Sequence, residues 1–185
     1  MKLFNKIFSK WVLKKIENAV SIDESKSKHP QLEEVSRRSI HDTVLRYDKV
    51  KFRLYIDSKA TIPISVKSIN CIFTYNGVMI QNMTVEDGDI FATNGAEVNL
   101  VTIEAQESDY QICPFNPFPY IPVLPESNEG WGIKGSIKFR CFYGTFEKKI
   151  KNIEMSIGSP KRWEESRSKY QQLYTSVFGN AVSAV

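Results

Sequence analysis

Histidine and cysteine are scarce in this 185-residue chain, which holds two of the first and three of the second. That shortage removes most of the stock from which metal sites and nucleophile–base pairs are built. Zinc needs about four ligands at short local spacings, whereas His29 and His41 flank a polar segment with no further ligand nearby. There is no G-x-S-x-G elbow. Gly130-Trp131-Gly132 and Gly135 are followed by a strand pattern, not by the helix that a dinucleotide fingerprint requires. Long apolar runs are missing too. The longest uncharged stretches are Tyr110–Pro125, with five prolines, and the largely polar Tyr170–Val185. Neither supplies the roughly 20 apolar residues of a spanning helix. Cys71, Cys113 and Cys141 contain no C-x-x-C pair, and an odd number cannot all pair within one chain. The expectation is a non-enzyme with no catalytic residue, metal or cofactor, its thiols reduced in the cytoplasm.

What is present is the composition of one ordinary globular domain, 42% hydrophobic and 25% charged. The net charge of +4 is localised. Residues 1–20 carry Lys2, Lys6, Lys10, Lys14 and Lys15 against Glu17 alone, so the remainder is balanced. A neutral domain with a basic leader points to an anionic surface met by one segment, not to nucleic acid. The leader does not read as a secretory signal, because lysine interrupts it at every fourth position.

Residues 3–20 have helical periodicity. Leu3, Phe4, Ile7, Phe8, Trp11 and Val12 share one side, and Lys2, Lys6, Lys10 and Lys14 form a stripe opposite. Residues 21–42 read as a polar linker with a short helix over Leu32–Ser39, where Glu33, Glu34, Arg37 and Arg38 have i, i+4 spacing. From Val44 the period falls to two. Phe52, Leu54 and Ile56 share one face, while Lys49, Lys51 and Arg53 share the other. In 62–75 the apolar phase slips near Lys67–Ser68, the mark of a bulge. Asn76-Gly77 is a hairpin turn leading into Val78–Val85. Ala96–Ala105 reads as a strand, and 108–130 as a long irregular stretch whose prolines exclude a central strand. Trp131–Tyr143 alternates cleanly with Lys134, Lys138 and Arg140 outward, and Thr145–Ile157 slips phase between Ile150 and Ile153. Ser159-Pro160 opens a helix that carries Trp163, Tyr170, Leu173 and Val177 and ends at Gly179.

The stretch Ile62–Gly77, with Pro63 and Asn76-Gly77, resembles the opening of the late-embryogenesis-abundant type 2 domain, also called the water-stress and hypersensitive-response domain. Ile90-Phe91-Ala92 before Glu97–Ile103, and the Trp131–Ile157 pair, match it more loosely. Asp57-Ser58-Lys59 stands where that family often has Asn-Pro. The resemblance covers roughly 44–157 and implies an immunoglobulin- or fibronectin-like β-sandwich without catalytic residues or a defined ligand.

The fold expected is therefore mainly β: an antiparallel sandwich of about seven strands over 43–158, an amphipathic helix before it, and a helix and tail over 159–185. Its inward residues should include Phe52, Leu54, Val66, Cys71, Phe73, Leu100, Ile133, Ile137 and Phe139. The function expected is a binding or stress-associated scaffold, cytoplasmic and peripheral to the inner face of the membrane. The alternative is a structural subunit of a larger cellular or viral assembly, as an oligomer. Contact with an anionic membrane or a protein partner falls to Phe4, Ile7, Phe8 and Trp11 with Lys2, Lys6, Lys10 and Lys14. The competing reading packs that helix on the sandwich or on a second copy. Phe115, Phe118 and Tyr120 in the proline-rich loop either dock a partner or cap the end of the sandwich. The lysines and arginines of the 44–56 and 131–143 strands form either a solvated face or, if those strands pair, an anion-binding one.

Overall fold

The computed structural model describes residues 2–38, 44–86, 102–115 and 124–182. Helix α1 (Lys2–Asn18) leads, and α2 (Pro160–Val182) closes the chain. Between them lie nine strands among the described residues: β1 (Val20–Ile22), β2 (Gln31–Arg38), β3 (Val44–Ser58), β4 (Ile64–Tyr75), β5 (Val78–Glu86), β6 (Thr102–Ile103), β7 (Ser108–Phe115), β8 (Trp131–Cys141) and β9 (Gly144–Met155). Every pairing is antiparallel. One sheet runs β1-β3-β2 with β7 on the other edge of β3, and the second runs β5-β4-β8-β9 with β6 beside β4. Phe52 of the first sheet meets Phe73 of the second edge-on, ring centroids 6.1 Å apart.

Period-two alternation puts Val50, Phe52, Leu54 and Ile56 of β3 against Ile69, Cys71, Phe73, Ile133, Ile137 and Phe139, all fully buried. Val66 joins them, and Leu100 lies outside the described residues. Both expected slips are register shifts. One falls between Val66 and Ser68, the other where Ile133 pairs Ile153 and Gly135 pairs Ile150. Asn76 (φ 46°) and Gly77 (φ 79°) supply the positive φ values of the β4–β5 turn.

Three expectations need correction. Residues 31–38 are strand, not helix: β2 pairs β3 from Gln31↔Lys51 to Arg38↔Val44, and cross-strand contact such as Glu33–Lys51 (3.6 Å) replaces i, i+4 pairing. The linker is equally part of the fold. β1 and β2 occupy the same edge of β3 in succession, and the 3₁₀ turn Lys26–Lys28 fills the gap between them. There the Asp23 N–H donates to the Tyr55 carbonyl (2.9 Å), and the Tyr55 N–H donates to the buried Ser27 hydroxyl (3.2 Å). Finally, 108–115 is not irregular but strand β7, with Pro114 opposite Lys51. A proline survives because β7 pairs only β3 among the described residues and needs no donor on its other edge.

The two helices close opposite ends. At one, α2 starts after β9 with the Arg162 N–H donating to the Ser159 hydroxyl (3.3 Å), and it runs beyond Gly179 to Val182. Trp163 is buried against Trp131 (5.6 Å, edge-on), and its indole N–H donates to the Pro125 carbonyl (2.9 Å). The wholly buried Asp48 carboxylate takes Arg162 at 2.8 Å and the Ser166 hydroxyl. At the other end α1 lies beside the start of β9. There the Ala19 carbonyl accepts the Lys59 N–H (2.8 Å), and a methyl on Gly144 would touch Leu13 (3.4 Å).

Removing Arg162 would leave the Asp48 carboxylate buried with a lone hydroxyl. Arg162→Ala should destabilise by about 3 kcal/mol, read as a lower urea midpoint at unchanged slope. Gly135→Ala should cost at least as much, since its methyl would run into the Asn70 backbone carbonyl at the bulge; thermal melting would reveal it.

Candidate functional site

Helix α1 has two apolar faces. Val12, Leu13 and Ile16 turn towards the sandwich, Ile16 buried in its core. Ile7, Phe8 and Trp11 turn away and remain 61%, 53% and 54% exposed. At 100° per residue the centres of the two faces lie roughly 140° apart. The docked face is set by covalent continuity. The helix ends at Asn18, and two residues later Val20 is pinned opposite Ser58 with its side chain buried, which fixes the azimuth of the preceding turns. The expected division of the helix is therefore corrected. Val12, grouped with Phe8 and Trp11 by periodicity, turns inward with Leu13 and Ile16, so the helix does pack on the sandwich, but through these residues, while Phe8 and Trp11 stay exposed.

The outward face is organised. Phe8 and Trp11 rings stand 6.2 Å apart, and the Lys15 ammonium sits 3.8 Å above the Trp11 ring, where the negative face of the indole attracts it. Lys10 and Lys14 are exposed, Lys14 also bridging to Glu17 (3.1 Å). The backbone at Lys2, Phe4 and Lys6 is helical, but their side chains lie outside the described ones. Phe115 ends β7 with its side chain likewise outside, and Phe118 and Tyr120 fall in undescribed residues. The two strands whose pairing would have made an anion-binding face do not pair. β3 and β8 belong to different sheets, so Lys51 and Arg53 lie apart from Lys134, Lys138 and Arg140.

Sequence reasoning also passed over an open cleft of about 640 Å³ on the second sheet, near the β4–β5 turn. Thr74, Asn76, Asn152, Glu129, Glu154 and Lys28 line it. Its floor is Gly132, where a side chain would strike the Thr74 hydroxyl (2.8 Å) and the Asn152 amide oxygen (2.9 Å). The Asn76 N–H donates to the Gly130 carbonyl (2.8 Å) and closes one wall. The Gly130-Trp131-Gly132 cluster was the available signal. Among the described residues no histidine or cysteine lines this cleft. A smaller hollow of about 250 Å³ gathers Asp23, Asp57 and Asp109. Asp57 takes the Ser108 hydroxyl (2.6 Å). The Ser25 hydroxyl, then the Lys26 N–H, hold the Asp23 carboxyl below its usual range. A depressed carboxyl adds stability above its unfolded value and loses it as pH falls, so this turn loosens in acid.

Among the described residues no three His, Cys, Asp or Glu side chains form a metal-binding group. No described helix is long and apolar enough to cross a membrane, which says nothing of strands.

No family model matches this chain, and no curated protein does. Among solved structures it is similar to an X-ray structure of a Northeast Structural Genomics Consortium target, at 13% identity and TM-score 0.42, covering 76% of this chain and 89% of that one. It is also similar to the "Putative ApaA Protein from Bordetella pertussis", at 15% identity and TM-score 0.40, covering 70% and 96%. Likeness at that level carries no argument about function.

Trp131 and Trp163 are each 1% exposed, so Trp11 is the tryptophan open to solvent. Acrylamide should quench part of the wild-type emission strongly, and Trp11→Phe should remove that accessible fraction while leaving the buried emission unchanged.

Proposed function

We propose that this protein is a non-catalytic binding or scaffold protein that attaches reversibly to anionic membrane surfaces through α1. The observation carrying this reading is the outward stripe of Ile7, Phe8 and Trp11, left exposed on a helix whose opposite side is docked. Aromatic side chains of this kind suit the headgroup boundary, and the flanking lysines suit acidic lipid. Each lysine near such a surface contributes about 1 kcal/mol, so Lys10, Lys14 and Lys15 with the apolar stripe suffice for transient attachment. The helix, 17 residues and so roughly 26 Å long, lies in the plane of the surface, because its lysines forbid spanning. The location that follows is the cytoplasmic face of a membrane. The stress-associated part of the reading rests on the late-embryogenesis-abundant resemblance alone.

Co-sedimentation with vesicles containing acidic lipid tests it. The intact chain should pellet at low salt and be released steeply as ionic strength rises. The Phe8→Glu, Trp11→Glu double variant should stay in the supernatant. If wild-type protein never pellets and light scattering finds an oligomer that persists on dilution, the stripe is a subunit interface and the membrane reading is wrong.

A further inference from the structure

The β8–β9 hairpin carries a feature that its turn does not explain. Cys141 pairs Gly144, leaving Phe142-Tyr143 as a two-residue tip. Two-residue tips favour asparagine, aspartate and glycine, as at Asn76-Gly77 of the neighbouring hairpin. An aromatic pair gains nothing for the turn itself. Tyr143 does pack against the core, with the Phe142 ring standing perpendicular to it at 5.3 Å. Phe142, however, is 91% exposed, the most exposed large apolar side chain described.

The tip sits beside α1. Gly144, two residues on, would touch Leu13 through a single added methyl (3.4 Å), and Trp11 is two residues before Leu13. Chain geometry then holds the Cα atoms of Phe142 and Trp11 within roughly 20 Å of each other. Arg140 is exposed on the same hairpin, and Glu147 faces Lys138 across the ladder, so local acid is balanced by a base. The other exposed apolar pair, Val78 and Met79, is at the far end of the sheet. The ten residue steps of β8 from Trp131 to Cys141 separate the two tips by roughly 33 Å.

We propose that Phe142 is a second membrane anchor, so that α1 and the β8–β9 tip meet the same anionic phospholipid surface and hold the sandwich in one orientation upon it. This rests on the α1 reading and adds to it. Contact along one narrow helical stripe would leave the docked helix and its domain free to roll about the helix axis. A second apolar contact displaced from the helix axis removes that freedom and keeps the α2 end, with the polar cleft, away from the bilayer. The acidic headgroups are met by Lys10, Lys14 and Lys15 of the helix and by Arg140 of the hairpin.

The test uses the full chain with vesicles of equimolar phosphatidylcholine and phosphatidylserine. Phe142→Ser should bind about tenfold more weakly than wild type, the loss expected for one apolar side chain, while Met79→Ser should bind as wild type does. Insertion is read independently in Trp11→Phe, Phe142→Trp protein, where the introduced indole should shift to the blue and be quenched by brominated lipid. If Phe142→Ser binds normally, the new indole is not quenched and Phe8→Glu, Trp11→Glu still abolishes binding, the second anchor is refuted and attachment through α1 stands. If wild-type protein does not bind these vesicles, both readings fall. If Met79→Ser weakens binding as much as Phe142→Ser, the oriented contact is also refuted.

Discussion

Trp163 stands edge-on against Trp131 on a helix whose side chains are held from two sides, and much of the architecture depends on that hold. On one side Arg162 and Ser166 grip the Asp48 carboxylate at the start of β3, in the first sheet. On the other, the Trp163 indole and the Arg167 guanidinium (3.1 Å) bond the carbonyls of Pro125 and Leu124, in the segment leading to β8 of the second sheet. A sandwich is two separate hydrogen-bonded layers whose faces attract without direction. Directional bonds from a single helix to both layers set how they sit on one another at this end. Burying a carboxylate is costly unless it is paired and hydrogen-bonded, and Asp48 meets that condition only when α2 is in place.

The opposite end is closed by different means. There the apolar groups of α1 do the packing, and the backbone bond from Lys59 to Ala19 adds a polar contact. The helix enters the fold through its C-terminal half, leaving the aromatic half of its surface outward. That surface and the β8–β9 tip together give this end its apolar and basic character, while the α2 end carries the polar cleft. The α2 end also carries the exposed Val78 and Met79, so the two ends differ in the aromatic and basic groups of one and the polar cleft of the other.

Some of this was legible in the residues. Alternation in β3, β4 and β8 placed the core side chains correctly, because in a strand neighbouring side chains point to opposite faces whatever the partner strand is. The phase slips at Lys67–Ser68 and Ile150–Ile153 reported bulges for the same reason. Asn76-Gly77 and Ser159-Pro160 declared a turn and a helix start through local backbone preference. On α1, the charged and apolar residues were legible as a list but not as faces, since two apolar groupings share one short helix.

The sequence by itself therefore determined what depends on nearest neighbours: a mainly β chain, its turns, its inward residues and a basic amphipathic start. Tertiary structure decided what depends on partners distant along the chain. Gln31–Arg38 became a strand because β3 offered it an edge, against the helical spacing of its own charges. Pro114 was accommodated because β7 has no described neighbour beyond β3. The basic faces of β3 and β8 were separated by the assignment of those strands to different sheets. The direction in which Phe8 and Trp11 point was settled by the docking of Val12, Leu13 and Ile16 on the core, on a helix that ends two residues before the paired and buried Val20.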